Sequence, residues 1–498
     1  MCKVRHRLAL PFLVAFFTVI NGFAQSIGDY RSVGDGNWNS LATWERLNVL
    51  PNVWATPTPG QGYPGQSANP STVTIQSGNQ VTLNVSVLIT NLTIETGGFF
   101  DITQLVTSGN PSLTMNGSLN MGVSGTSFIT TTTFTFNGTG NLTISGNVIV
   151  GGASPIPVGS GLAFGSSGAM TVAGNVAITS ASTFDVSAGS LTMGGSLSGT
   201  ADGDITFSTS GNVTIGGTTT ITPAASSLTD SNNTGTSTFT GLVTVDGTWI
   251  STVVTAPANM VFKGGINCSN TAPGFSGGGG TFNTNNQALA GNGNISFVNN
   301  VNITGITLTN SNLGTVTFGG TGSTTTLSTS GGFTDSNNNG LTIFGGNVSV
   351  GTGTSFISTA VTSNANMVFR GGIAQGGTFT GGGATFNTNN QAITGANSLS
   401  FGNNVAIAGV TVTNSNTNNL TITGNTTLST SGGFTDSNNT GITLLVGNVN
   451  VGASTSFVTT AITNTARLIF RGGDCKCRNL YSRRCHFQYQ QPSDYRRE

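Results

Sequence analysis

One short phrase, two strand-like segments around a glycine-containing bend, recurs along this chain and limits what it can fold into. Leu113-Thr-Met-Asn-Gly-Ser-Leu-Asn-Met121, Leu142-Thr-Ile-Ser-Gly-Asn-Val-Ile-Val150, Met170-Thr-Val-Ala-Gly-Asn-Val-Ala-Ile178 and Val213-Thr-Ile-Gly-Gly-Thr-Thr-Thr-Ile221 all carry it, and Leu191-Thr-Met-Gly-Gly195 is a shorter copy. Within each copy, apolar residues alternate with threonine, serine and asparagine, the period-two signature of strands that bury one face. The copies start at positions 113, 142, 170, 191 and 213. Steps of this length suit one coil of a solenoid, which cannot bury its own apolar face and must stack on a neighbour. The patterning also argues against disorder, despite 74 glycines and few charges.

A longer period overlies the short one. Phe262, Phe369 and Phe470 head equivalent segments, Asp230, Asp335 and Asp436 open the loops DSNNTG, DSNNNG and DSNNTG, and TFNTNNQA occurs twice, with Phe282 matching Phe386. A unit of about 100 residues is also the size of an immunoglobulin-like domain, so tandem β-sandwich repeats are the main alternative. Such domains favour proline-rich linkers and a core tryptophan, and neither appears after Trp249. The sequence therefore predicts an all-β chain: a right-handed parallel β-helix (β-solenoid) over 101–473, about 15 to 18 coils and roughly 70–90 Å long at ~4.8 Å between stacked strands, preceded by an N-terminal β-rich capping region over 25–100.

Composition narrows the chemistry. Charged residues are 6% of the chain, the formal net charge is zero, and residues 25–473 hold no histidine, one lysine (Lys263), two glutamates (Glu45, Glu95) and one cysteine (Cys268). A surface of this kind has no footprint for a phosphate backbone or anionic lipid, which excludes nucleic acid as a partner and points to neutral ones. A lone cysteine cannot form an internal disulfide, so stability must come from packing and backbone pairing. The only close acidic pair in the repeats, Asp202 with Asp204, falls on one face by period-two geometry but has no histidine or basic residue beside it. Hydrolysis or elimination needs clustered carboxylates or a base beside a metal; the expectation is not an enzyme, with no catalytic residues, metal or cofactor. In the DSNNNG loop, Asp335, Asn337 and Asn339 alternate as calcium ligands do, but Gly346 stands where a bidentate glutamate is required, and Asn and Asp serve turns equally well. Thr130-Thr131-Thr132-Thr133 suggests a flat threonine array able to bind ice or another crystal, although threonine is favoured on exposed strand faces in any case.

Both ends read as something other than fold. Lys3, Arg5 and Arg7, the apolar run Leu8 to Ile20 and the small residues Gly22-Phe23-Ala24 form an export signal over 1–24, with a mature chain beginning near Gln25 and no later span apolar enough for a membrane helix. From 474 to 498 the composition changes abruptly: three of the five cysteines and one of the two histidines fall within this short tail. Shifting the tail's codons by one nucleotide, with free choice of synonymous codons, yields IANAGTFTAGGATFNTNNQAITGG, which matches 373–396 at 20 of 24 positions. The tail thus reads as a frameshifted repeat, and the gene is expected to continue through more of them. The zinc-like Cys475-x-Cys477 and Cys485-His486 are explained by that shift without a metal.

The N-terminal region differs from the repeats. It holds Trp38, Trp44 and Trp54, candidate ligand-binding residues that could stack on sugar rings beside Tyr30 and Tyr63, or else anchor the core of a small β-domain. Tyr30-Arg31-Ser32-Val33-Gly34, Gly36-Asn37-Trp38-Asn39 and Ala42-Thr43-Trp44-Glu45, followed by VTIQSGNQVTLN and NLTIETGGFF, resemble the N-terminal region of large bacterial surface proteins exported by the type IX secretion route. The region is more loosely similar to the extracellular domain family named for its eight glycines. This resemblance covers most of 26–100 and implies an exported, adhesin-like β-helical protein with a C-terminal sorting domain, which this sequence lacks. The functional expectation is a secreted, extracellular or cell-surface structural and adhesion protein whose partners are neutral carbohydrate or cell-surface components. The alternative is the carbohydrate-binding stalk of a larger extracellular enzyme.

Overall fold

The computed structural model describes residues 26–487 with breaks, the longest at 102–111, 122–127, 151–160, 252–259, 360–366 and 461–466; 1–25, with the expected export signal, and 488–498 lie outside the described residues. The chain is a parallel β-solenoid with an N-terminal β region, and the tandem-sandwich alternative does not apply. Each coil lays down three short strands in fixed order, as in Ser190–Met193 on a first face, Leu197–Gly199 on a second and Asp204–Phe207 on a third. The chain then returns to the first face at Val213–Ile215, in parallel register on the strand below (Leu191↔Val213). The second face alone stacks 17 strands. No α-helix occurs among the described residues, and none is long and apolar enough to cross a membrane.

The alternation in the sequence is the reason for the shape. Val213, Ile215, Ile205 and Phe207 point into the rod and are wholly buried, while Thr214 and Thr206 between them point out. Because stacked coils are in register, like residues meet. Phe297, Phe318, Phe344, Phe369 and Phe386 form one column on the third face, with ring centroids 6.1, 5.3, 5.3 and 5.5 Å apart and planes within 21° of parallel. Such contacts add ~0.5–1.5 kcal/mol each beyond the area they bury.

The corners explain the recurring polar phrases. In TFNTNNQA, Asn285 and Asn389 take left-handed backbone conformations (φ 53° and 57°). The buried Gln287 and Gln391 then donate to the carbonyl oxygens of Phe262 and Phe369 one coil below (2.7 and 2.8 Å). In DSNNTG, Asp230 Oδ1 accepts the Asn232 N–H (3.1 Å), and Asn232 Nδ2 donates to Gly211 O in the preceding coil (2.8 Å); Asp436 and Asn438 repeat this geometry toward Asn418 O. Other buried corner side chains are stitched through the interior: Asn310 to Thr342 and Asn414 to Thr443, both at 2.9 Å, and Asn414 to Asp436 at 3.1 Å.

The longer unit does not contain a whole number of coils. Asp230, Asp335 and Asp436 each end a strand, and successive ones lie fourteen strands apart, four coils plus two further faces. Asp230 is therefore on the third face, Asp335 on the second and Asp436 on the first. Phe262, Phe369 and Phe470 move in the same way, from first to third to second. Equivalent residues wind around the rod instead of lining one side of it.

The N-terminal region closes one end. Tyr30–Ser32 joins the first face parallel to Val73–Ile75; Trp44–Leu47 pairs antiparallel with it, and the two-residue strand Trp54–Ala55 pairs antiparallel with that in turn. A very short antiparallel edge offers little template for further pairing. At the other end, Cys475–Cys477, Leu480–Ser482 and Cys485–Phe487 continue the third, first and second faces in register.

Two outcomes follow from this interior. Burial pushes the Asp230 carboxyl up to about 6 from 3.8, and its Oδ2 has no hydrogen-bond partner among the described residues. The folded chain therefore disfavours the ionised form: stability rises as pH falls through 6 and levels off below about 4. Asp230→Asn should stabilise the rod at pH 7.5 by up to ~3 kcal/mol and remove that part of the pH dependence in thermal unfolding at pH 4.5 and 7.5. Asparagine fits, because Ser237 stands beside residue 230 as Thr342 and Thr443 stand beside Asn310 and Asn414. Excision of 336–436, one unit, should give a folded rod ~22 Å shorter, measured by small-angle scattering, with every downstream strand moved to another face.

Candidate functional site

Among the described residues there is no group of three histidine, cysteine, aspartate or glutamate side chains able to hold a metal. The Asp202–Asp204 pair expected on one face is not a strand pair. Ala201 and Asp202 adopt left-handed conformations (φ 51° and 67°) in the turn before Asp204–Phe207, so period-two geometry does not reach Asp202. Asp204 is exposed and accepts from Ser227 Oγ at 2.5 Å. Of the run Thr130–Thr133, Thr130 ends a second-face strand, Thr133 begins a third-face strand, and Thr131 and Thr132 lie outside the described residues. Of the calcium-like triad, Asn337 lies outside them too, and Asp335 Oδ1 accepts from Asn310 Nδ2 at 3.4 Å. In the tail, Cys475 and Cys477 belong to a third-face strand and Cys485 and His486 to a second-face strand.

The three N-terminal tryptophans divide. Trp38 and Trp44 are both 0% exposed and pack edge to face, centroids 4.8 Å apart, with Phe100 against Trp38 at 5.8 Å. Their N–H groups donate to Pro64 O (2.9 Å) and Trp38 O (2.8 Å), and Tyr30, also buried, donates its hydroxyl to Gly62 O at 3.1 Å. These side chains plug the end of the interior, and the indole faces of Trp38 and Trp44 are closed to a ligand. Trp54 is different. It sits on the outermost two-residue strand, partly exposed, with the Arg31 guanidinium 4.6 Å from its ring centroid.

Arg31 is held there by Glu45, its cross-strand partner, through Nε and Nη2 to the same carboxylate oxygen, Oε2 (2.9 and 2.7 Å). A cation on one face of an indole is a favourable arrangement. The Glu45 Oε1 atom, which carries no hydrogen bond from the described residues, is an acceptor for a hydroxyl. Trp54, Arg31 and Glu45 thus form a partly exposed cluster in the cap that combines an aromatic ring with directed polar groups. Sequence reasoning selected Trp54 but missed Arg31 and Glu45, although both stood out as rare charges in a chain only 6% charged.

Protein-family models, curated proteins and solved structures yield no match to this chain.

The division of the tryptophans is measurable. Trp44→Ala should cost ~3–5 kcal/mol by denaturant unfolding, as an aromatic deletion in a packed core does, whereas Trp54→Ala should cost under about 1 kcal/mol, as an exposed substitution does. Equal losses would place Trp54 in the core with the others.

Proposed function

We propose that this protein is a secreted structural and adhesive rod that attaches to neutral carbohydrate or to another surface, and that it is not an enzyme. The observation that carries the reading is a rigid, repeat-built, nearly uncharged rod whose outward positions are dominated by threonine, serine and asparagine. Many weak, equivalent hydrogen-bonding positions on a stiff support give avidity in proportion to the length engaged. The winding of the longer unit means that each copy shows its motifs in a different direction.

Export is supported by the charged-then-apolar start of the sequence and by the resemblance of 26–100 to type IX surface proteins. The second reading, a carbohydrate-binding stalk of a larger enzyme, is favoured by the Trp54, Arg31 and Glu45 cluster, which would place recognition in the cap alone. The full chain, its Trp54→Ala variant and the rod lacking 336–436 separate the two on immobilised neutral glycans. An adhesive rod keeps its affinity with Trp54→Ala; a cap module loses it with Trp54→Ala and keeps it with the excised unit. No binding by the full chain to any neutral glycan or cell surface would end both.

A further inference from the structure

The three faces of the rod are not equivalent in what they show outward. On the first face, Thr171, Thr192, Thr214 and Thr238 are direct cross-coil partners, one above another over four consecutive coils. Their inward neighbours, among them Val172, Leu191, Met193, Val213, Ile215 and Phe239, are buried, which fixes the strands that carry them. None of these four hydroxyls is hydrogen-bonded to another described residue. Elsewhere on the surface, Thr179, Ser198 and Thr200 turn back to carbonyl oxygens of the coil below.

The ground beside the row is low. Just past the ends of the first three strands stand Ala173, Gly194 and Gly216, with Thr240 after the fourth, and a side chain at Gly216 would lie 2.5 Å from Gly194 O. The stretches 169–173, 190–194, 212–216 and 236–240 contain no charged residue. The matching part of the third face carries Asp185 and Asp204, and the next first-face coil brings in Val261 and Lys263.

We propose that this threonine row is the contact surface for a neutral polysaccharide strand lying along the rod axis. The proposal rests on the adhesive reading above and names where on the rod it acts. Each hydroxyl both donates and accepts, threonine is stiff about χ1, and the row repeats at about 4.8 Å. A partner must therefore be extended, uncharged and itself lined with groups that donate and accept. The absence of a cation in these stretches removes attraction for an anionic polymer, and the row's preset geometry lowers the ordering cost of binding.

The test uses the full chain and insoluble cellulose and mannan as probes. Replacing Thr171, Thr192, Thr214 and Thr238 by valine keeps strand preference and removes the hydroxyls; replacing all four by serine restores them; Thr206→Val with Thr229→Val is the third-face control. The proposal expects at least about tenfold weaker binding for the first-face valine protein, near-normal binding for the serine protein and the control, and unchanged circular dichroism throughout. Equal binding by all four proteins overturns the row while leaving the adhesive rod in place. Failure of the unaltered chain to bind either glycan overturns the row, and leaves the adhesive rod to the wider panel of glycans and cell surfaces. Thermal hysteresis, or concentration-dependent dimerisation, lost in the valine protein without a change in glycan binding would assign the row to ice or to a second copy and overturn it as well.

Discussion

Everything in this protein depends on the parallel hydrogen-bond ladder that joins one coil to the next. A single coil has three short strands, too short to bury an apolar face by themselves, and its backbone groups point up and down the rod. Stacking satisfies those groups and closes the interior at the same time. This makes stability a nearest-neighbour property, and it explains why the interior tolerates buried amides: Gln287, Gln391, Asn232 and Asn438 bond to backbone carbonyls of the preceding coil and so strengthen the same ladder.

The acidic corners are the exception. Asp230 and Asp436 are both buried deeply enough that their carboxyls are raised above the usual range, with desolvation the main cause. Each uses one oxygen to shape the turn by accepting the N–H two residues on, a task an asparagine performs equally well at Asn310 and Asn414. The acid is thus tolerated for its turn geometry, and its charge is a cost to the interior.

The relation between the two periods sets the character of the surface. Fourteen strands per unit over three faces leaves a remainder of two, so duplication of the unit turns each copy by two faces instead of building one continuous stripe. The N-terminal cap stands apart from this regularity. Trp38, Trp44, Tyr30 and Phe100 fill the end of the interior, and antiparallel pairing ends the first-face ladder. Arg31, Glu45 and Trp54 meet on the cap's outer side, while Asp29 is buried and accepts the backbone N–H groups of Ser26 and Thr72.

By itself the sequence determined the all-β class, the coil as the repeating element, the alternation of apolar and polar residues along the strands, and the turn role of DSNNTG. Each of these follows from local alternation and turn chemistry, which a string of letters carries in full. It could not show that Trp38 and Trp44 are a plug while Trp54 faces out, because composition does not say which indole a distant Pro64 or Phe100 covers. Nor could it show which face any unit presents, or that Thr238, which lies outside the recurring phrase, continues the column of Thr171, Thr192 and Thr214, the second residues of successive copies. Those alignments were decided by tertiary structure alone: hydrogen-bond register between coils absorbs the unequal turns and brings into line residues that no fixed spacing connects.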